Sequence, residues 1–361
     1  MTPCIHVYII AEAGVNHNGS VDLAKALIEA AADAGADAVK FQSFRAEKVV
    51  CKFAPKANYQ IKTGHPKESQ FDMLKRFELG IDSHHQLAEK CQGCGVDFLS
   101  TPFDLESLEL LAKALNLPRI KLSSGDITNA PLLLQAARLA KPVLLSTGMS
   151  TLGDVEAALG VLAHGYIWPT ETPSAEKFRS AYVSQDGQEA LKRNVTLLHC
   201  TSEYPAPFDD INLRAIETLA RTFGLPVGYS DHTVGISVSI AAVACGATVV
   251  EKHFTVDRSL PGPDQAASLN PTELKILIQS IREVEKALGS ARKSPSAIEM
   301  NNRVVVRRSL VAACKIKRGE RFTSSNLTVK RPGTGISPIN YWDWIGQVAQ
   351  RNYVRDEVIL R

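Results

Sequence analysis

Short apolar runs rich in β-branched residues alternate along most of the chain with longer runs of helical period. The strand-like runs are Val7–Ala11, Ala38–Phe41, Phe98–Ser100, Arg119–Leu122, Val143–Ser146, Val195–His199, Val227–Tyr229 and Thr248–Lys252. Between them, helical periodicity covers Val21–Ala34, Leu105–Leu115, Pro131–Leu139, Leu152–Ala163, Leu213–Phe223 and Ile236–Cys245, and Pro271–Leu288 follows the last strand. Helix starts are signed by Ser20 before Val21, by Asp104 with Ser107 behind Thr101-Pro102, and by Pro271 with Glu273. Each parallel pair of strands needs a crossover, here a helix, so the alternation predicts a parallel sheet. Eight such units fit an α/β fold of the closed (β/α)₈ TIM-barrel type, with an open doubly wound sheet as the weaker alternative.

Two long insertions interrupt the rhythm, Arg45 to Gly80 and Gly165 to Arg193, and loops of this length serve as lids or contact surfaces. The expected division is a barrel over 1–288, a polar linker over 289–302 and a small, mostly β domain over 303–361 with no long amphipathic helix. The 361 residues exceed what a single core usually holds, in keeping with two domains. Charge changes the picture little: 41 basic against 38 acidic residues leave +3, too slight for a nucleic-acid or membrane surface. The longest uncharged apolar stretch, Val234 to Val250, is shorter than the roughly 20 residues a bilayer needs. No export signal is evident, and the seven cysteines read as free thiols in a reducing cytoplasm. Cys91 and Cys94 form a C-x-x-C without a second pair, so no zinc or redox role is expected.

In a (β/α)₈ barrel the chemistry gathers at the C-terminal strand ends. Here those ends carry Glu12, Lys40 with Gln42, Ser100-Thr101-Pro102, Lys121 before Ser123-Ser124-Gly125-Asp126, Ser146-Thr147-Gly148-Met149, His199 before Ser202 and Tyr204, Ser230-Asp231-His232, and Glu251-Lys252-His253. One lysine in an apolar strand is compatible with a paired core cation. Two, each beside hydroxyl and glycine turns, point to a phosphate cradle, with hydroxyls and backbone N–H groups as donors. His232 and His253 end consecutive strands, which predicts neighbouring rings and a two-histidine divalent-metal site. Glu12 ends an apolar strand and needs a partner, which favours a substrate or acid/base role. His17 divides between stabilising its turn and catalysis, and His84 and His85 read as solvated surface.

The segments Ala11–Gly19, Val39–Ser43, Ser100–Phe103, Ser146–Met149, His199–Thr201, Gly228–Thr233, Glu251–Thr255 and Pro261–Asp264 resemble, in order, the sialic acid synthase family. Val329–Ile336 is similar to that family's antifreeze-like (SAF) domain. The resemblance implies condensation of phosphoenolpyruvate with N-acetylmannosamine to N-acetylneuraminate, helped by Mn²⁺ or Mg²⁺ and by no organic cofactor; the alternative is a relative making legionaminate or pseudaminate from another aminosugar. By motif, Lys40, Thr101, Lys121, Ser124, Ser146, Ser202 and Ser230 would hold phosphoenolpyruvate. His232 and His253 would bind the metal. Glu12, Gln42, Tyr204, Asp264 and Arg331 would contact the sugar, and Asp126 or Glu12 would act as base. Asp126 stands where the family more often has Glu, and Gln265 where many members have His; Tyr59 to Gln70, on the sugar side, transfers least. A homodimer is implied in which each C-terminal domain caps the partner's barrel. A carbohydrate-binding or antifreeze-type module, the reading from another class, would leave the strand-end lysines and histidines without a purpose.

Overall fold

Alternation within each strand becomes layering in three dimensions. The computed structural model describes residues 6–56 and 68–360. Eight parallel strands, β1 (Tyr8–Gly14), β2 (Ala38–Ser43), β3 (Asp97–Pro102), β4 (Ile120–Leu122), β5 (Val143–Ser146), β6 (Val195–Cys200), β7 (Val227–Asp231) and β8 (Val249–His253), pair in the order β3-β2-β1-β8-β7-β6-β5-β4. β3 and β4 lie side by side at the remaining seam, so the sheet is a nearly closed barrel. All eight expected strands are present.

Inward-facing residues two apart form stacked layers. Ile10, Ala38, Leu99, Leu144, Leu198 and Val249 make an apolar plug. Gly228 completes it because a Cβ there would lie 2.6 Å from both the Leu198 side chain and the Val249 carbonyl. One step towards the C-terminal ends, the same strands turn Glu12, Lys40, Thr101, Ser146, Ser230 and Glu251 inward, with Lys121 from β4. The outward set, including Ile9, Val39, Phe41, Leu145 and Val250, is buried against the helices; each large apolar side chain so covered contributes about 1.5–3 kcal/mol. Helix Val21–Ala34 starts where expected, with Ser20 Oγ accepting from Leu23 N–H, and Asn270 and Glu273 cap helix Pro271–Leu288 reciprocally.

The first insertion contributes helices Ala46–Val49 and Gln70–Phe77, whose Met73 and Phe77 join Val15 and Phe44 in a small apolar cluster. Most of Tyr59 to Gln70 lies outside the described residues. The second insertion folds into helices Ala175–Val183 and Gln185–Asn194, which pack on helix Leu152–Ile167, and none of it lines the cavity at the C-terminal strand ends. His84 is buried, contrary to its surface reading: its Nε2 lies 2.6 Å from Ser43 Oγ and its Nδ1 2.8 Å from the Gly80 carbonyl, tying helix Ile81–Cys94 to β2. His85 is exposed. The six described cysteines are free.

The chain divides after Gly289 into two compact units. The second pairs β9 (Ser309–Ala312) antiparallel with β10 (Leu327–Lys330) over a core that includes Leu310, Ile316, Phe322 and Tyr353. Helix Ala297–Val306 occupies part of the stretch expected to be linker. Ser296 and Glu299 form its capping box, but its apolar residues are exposed, so no buried face marked it in the pattern. No helix of the described residues is long and apolar enough to cross a membrane.

Candidate active site

The polar layer opens into a cavity of about 530 Å³ at the C-terminal end of the barrel. At its base the side chains of four charged residues are almost wholly buried. Lys40 Nζ lies 2.7 Å from the Glu12 carboxylate and 3.7 Å from Glu251; Lys121 Nζ is 3.7 Å from the other Glu251 oxygen. Lys40 also donates to Thr101 Oγ1 at 3.1 Å, and Ser230 Oγ donates to Glu251 at 2.8 Å. The two carboxyls are driven apart. Burial pushes Glu12 up, to about 7, against the pull of Lys40. Glu251 is equally buried, yet Lys121, Lys40 and the Ser230 hydroxyl hold it below the usual carboxylate range. Of the two, Glu12 has the higher affinity for a proton, and Glu251 is held as the anion between two lysines.

A hydroxyl-rich wall rises from β4, β5 and β6. Ser124 Oγ accepts from Gly148 N–H at 3.0 Å and lies 3.1 Å from Cys200 Sγ. A Cβ on Gly148 would collide with Ser202 Oγ and lie 2.9 Å from Ser124 Oγ, so the wall closes around a glycine. Ser146 and Ser123 complete it. With two lysines beneath, this is an anion cradle.

Next to β6, at the ends of β7 and β8, stand the histidines. The His232 and His253 ring centroids are 5.5 Å apart, with Tyr204 at 4.2 Å from the first and 5.6 Å from the second. His232 Nδ1 lies 2.6 Å from the Thr201 carbonyl, which makes it the protonated nitrogen and leaves Nε2 with a lone pair. Burial lowers both imidazoles, His253 the more, so both are neutral near pH 7, the form that ligates metals. His253 Nδ1 is buried without a hydrogen-bond partner among the described residues, 3.8 Å from the Asp264 carboxylate. Burial also raises Asp264, to about 6. An orphaned imidazole nitrogen beside a second imidazole suits a divalent cation. No group of three or more described His, Cys, Asp or Glu residues has metal-holding geometry.

Lys40, Thr101, Lys121, Ser124, Ser146, Ser202, Ser230, Glu12, Gln42, Tyr204, Asp264, His232 and His253 thus converge on one cavity. Asp126 does not join them. Its carboxylate accepts from Ser123 Oγ at 2.6 Å and Asn129 Nδ2 at 3.1 Å, inside its own turn and off the cavity wall. Arg331 belongs to the second unit. Gln265 is turned away as well, donating to the Asn16 carbonyl, and His17 Nδ1 accepts from Gly19 N–H, the turn-stabilising role. Glu251 was not singled out from the sequence. Period-two alternation from His253 was the available signal, since it faces Glu251 inward and Lys252 outward. A further apolar wall, Val15, Phe44, Met73, Leu74, Phe77 and Phe103, carries no strand-end motif in the sequence.

Residues 27–293 match the NeuB family and residues 307–361 the SAF domain. The chain belongs to the NeuB family. This NeuB-family chain is 50% identical over 351 residues to N,N'-diacetyllegionaminic acid synthase of Campylobacter jejuni, covering 97% of this chain and 98% of that one. It is 33% identical over 360 residues to human N-acetylneuraminate-9-phosphate synthase, covering 99% and 92%. A crystal structure of N-acetylneuraminic acid synthetase from Leptospira borgpetersenii superposes with a TM-score of 0.66 at 35% identity, covering 83% of this chain and 90% of that one. It is therefore an enzyme of nonulosonate synthesis with a C-terminal SAF domain.

Proposed function

We propose that this NeuB-family enzyme condenses phosphoenolpyruvate, water and a di-N-acetylated aminosugar, releasing phosphate and giving N,N'-diacetyllegionaminate in preference to N-acetylneuraminate. Near full-length identity of 50% to a synthase so named carries the choice of sugar. The apolar wall supports it, since Met73, Leu74, Phe77 and Phe103 offer a surface for an additional acetyl methyl beside the polar floor.

In this reading the anion cradle takes the phosphate and carboxylate of phosphoenolpyruvate on Lys40, Lys121, Thr101, Ser124, Ser146, Ser202 and Ser230. Gln42, Tyr204 and Asp264 orient the open-chain sugar. Carbon C3 of phosphoenolpyruvate attacks the aldehyde, which leaves positive charge at C2. Glu251, held as an anion, offsets that charge. Water adds at C2, and Glu12, with its raised affinity for a proton, takes the proton released. The C–O bond then breaks as the C2 hydroxyl gives up its proton: phosphate departs with the bonding pair, C2 becomes a ketone, and the former aldehyde oxygen takes up a proton as a hydroxyl. A divalent cation on His232 and His253, when bound, supplies Lewis acidity at the sugar's aldehyde oxygen. Asp126, committed to its own turn, is not the base. Arg331, in this proposal, reaches the sugar of the partner subunit's barrel in a homodimer.

The test is phosphate release from phosphoenolpyruvate with a panel of aminosugars. A kcat/KM at least tenfold higher for the di-N-acetylated sugar than for N-acetylmannosamine is expected. The reverse ranking would assign the chain to N-acetylneuraminate, and no phosphate release with any sugar would defeat both readings.

A further inference from the structure

Every residue that makes the metal-binding reading attractive faces the cavity, yet a charged pair lies directly behind it. Asp231 and Lys252 are in register on β7 and β8, and each immediately precedes one of the two histidines. Alternation turns both away from the cavity, and neither lines it. Their side chains are wholly buried, with Lys252 Nζ 2.9 Å from Asp231 Oδ2.

The surrounding bonds converge on one peptide segment. Asp231 Oδ1 accepts from both the backbone N–H and the hydroxyl of Thr233, each at 2.8 Å. Lys252 Nζ donates to the Thr233 carbonyl at 2.5 Å. Ser239, from helix Ser237–Ala244, donates to Asp231 Oδ2 at 2.5 Å. The pair therefore grips the residue after His232 from both its amide and its carbonyl side, using a lysine that adjoins His253. The attraction within the pair adds little net stability, because desolvating two charges largely cancels it. What an apolar pair lacks is direction. It has no means of setting the turn at Thr233 against the end of β8.

We propose that Asp231 and Lys252 are positioning residues that set the separation and orientation of the His232 and His253 imidazoles. This rests on the reading of those histidines as a cation site. Asp231 and Lys252 touch neither substrate nor metal and act only through their neighbours.

The decisive variant is the double replacement Asp231→Leu with Lys252→Met, which leaves no unpaired buried charge. It is compared with Ser239→Ala, which removes a single bond to Asp231 and leaves the ion pair in place. Full-length proteins are titrated calorimetrically with Mn²⁺, the metal-free forms are examined by ¹⁵N-histidine NMR, and steady-state kinetics are recorded. The double variant leaves the Thr233 and Ser239 groups that bonded to the pair unpaired and is expected to melt below wild type; where folded, it is expected to bind Mn²⁺ roughly 10–100-fold more weakly and to shift the His232 and His253 signals. Its kcat is expected to fall while the KM for phosphoenolpyruvate stays within twofold. Ser239→Ala is expected to weaken Mn²⁺ binding by a smaller factor, and it carries the test should the double variant not fold. Mn²⁺ affinity within twofold of wild type in every folded variant overturns the proposal. If wild type itself binds no Mn²⁺, the cation reading fails, and the NMR decides the positioning claim alone: unmoved signals from both histidines in the folded variants overturn it.

Discussion

Lys121 and Glu251 meet at 3.7 Å with both side chains almost fully buried, and the charge of each depends on the other. Lys121→Ala therefore removes a cradle cation and leaves Glu251 with Lys40 alone. We expect the KM for phosphoenolpyruvate to rise about 10–100-fold, the loss of a charge-assisted contact worth roughly 1.5–3 kcal/mol, with the sugar KM changed far less. Initial-rate kinetics with each substrate varied in turn would show whether the two ends of the site are instead reversed. His17 gives a prediction about pH and stability. Burial lowers its imidazole from 6.5 to about 4. Between those values the unfolded chain binds a proton that the folded chain refuses, so stability is complete above the unfolded value and is lost as pH falls towards the folded one. The slope is about 1.4 kcal/mol per pH unit, or about 3 kcal/mol across the window. His17→Asn retains an acceptor for Gly19 N–H, and urea unfolding at pH 5 and pH 6 should show the slope reduced by about that amount.

Elements matter here through their ends. The β5 turn must bring Gly148 N–H to Ser124 Oγ while Ser202 and Cys200 crowd the same point. Gly148→Ala inserts a methyl among those three side chains at the cavity wall rather than in the core. Phosphoenolpyruvate binding should weaken at least tenfold while the melting temperature moves by only a few degrees, a contrast that calorimetry and kinetics on the same preparation would check. A large fall in melting temperature with binding unchanged would make the glycine a packing residue. The helical elements also show where pattern reading falls short. Val21–Ala34 and Pro271–Leu288 have a buried stripe and a side-chain cap, and both were legible. Ala297–Val306 has a cap but no buried residue, and the pattern places only its first part, to residue 302, in the expected linker.

For the whole molecule, the proposal that Arg331 serves the partner's barrel makes a prediction through complementation. His253→Ala and Arg331→Ala proteins should each be nearly inactive. After subunit exchange, one site of each heterodimer would combine an intact barrel with an intact arginine, and up to about half the wild-type activity per heterodimer should return, since one site of two is complete. Heterodimers confirmed by mass with no regained activity would show that the arginine serves its own barrel.

The order of strands and helices, the eight-fold count and many of the polar residues at the strand ends are determined by the sequence, because period-two and period-3.6 patterns and strand-end chemistry are local properties. The motif resemblance added the family. Tertiary structure decided which carboxyl is which. Glu12, Asp126 and Glu251 are all carboxylic acids, yet burial raises the first against the pull of Lys40, the local turn withdraws the second, and Lys121 with Lys40 holds down the third. It also decided that His84 is buried, since its partner Ser43 lies far away in sequence. The same holds for Asp231 and Lys252, whose pairing needs two strands brought into register across a helix. Burial and charge coupling arise between segments, and no window along the chain contains them.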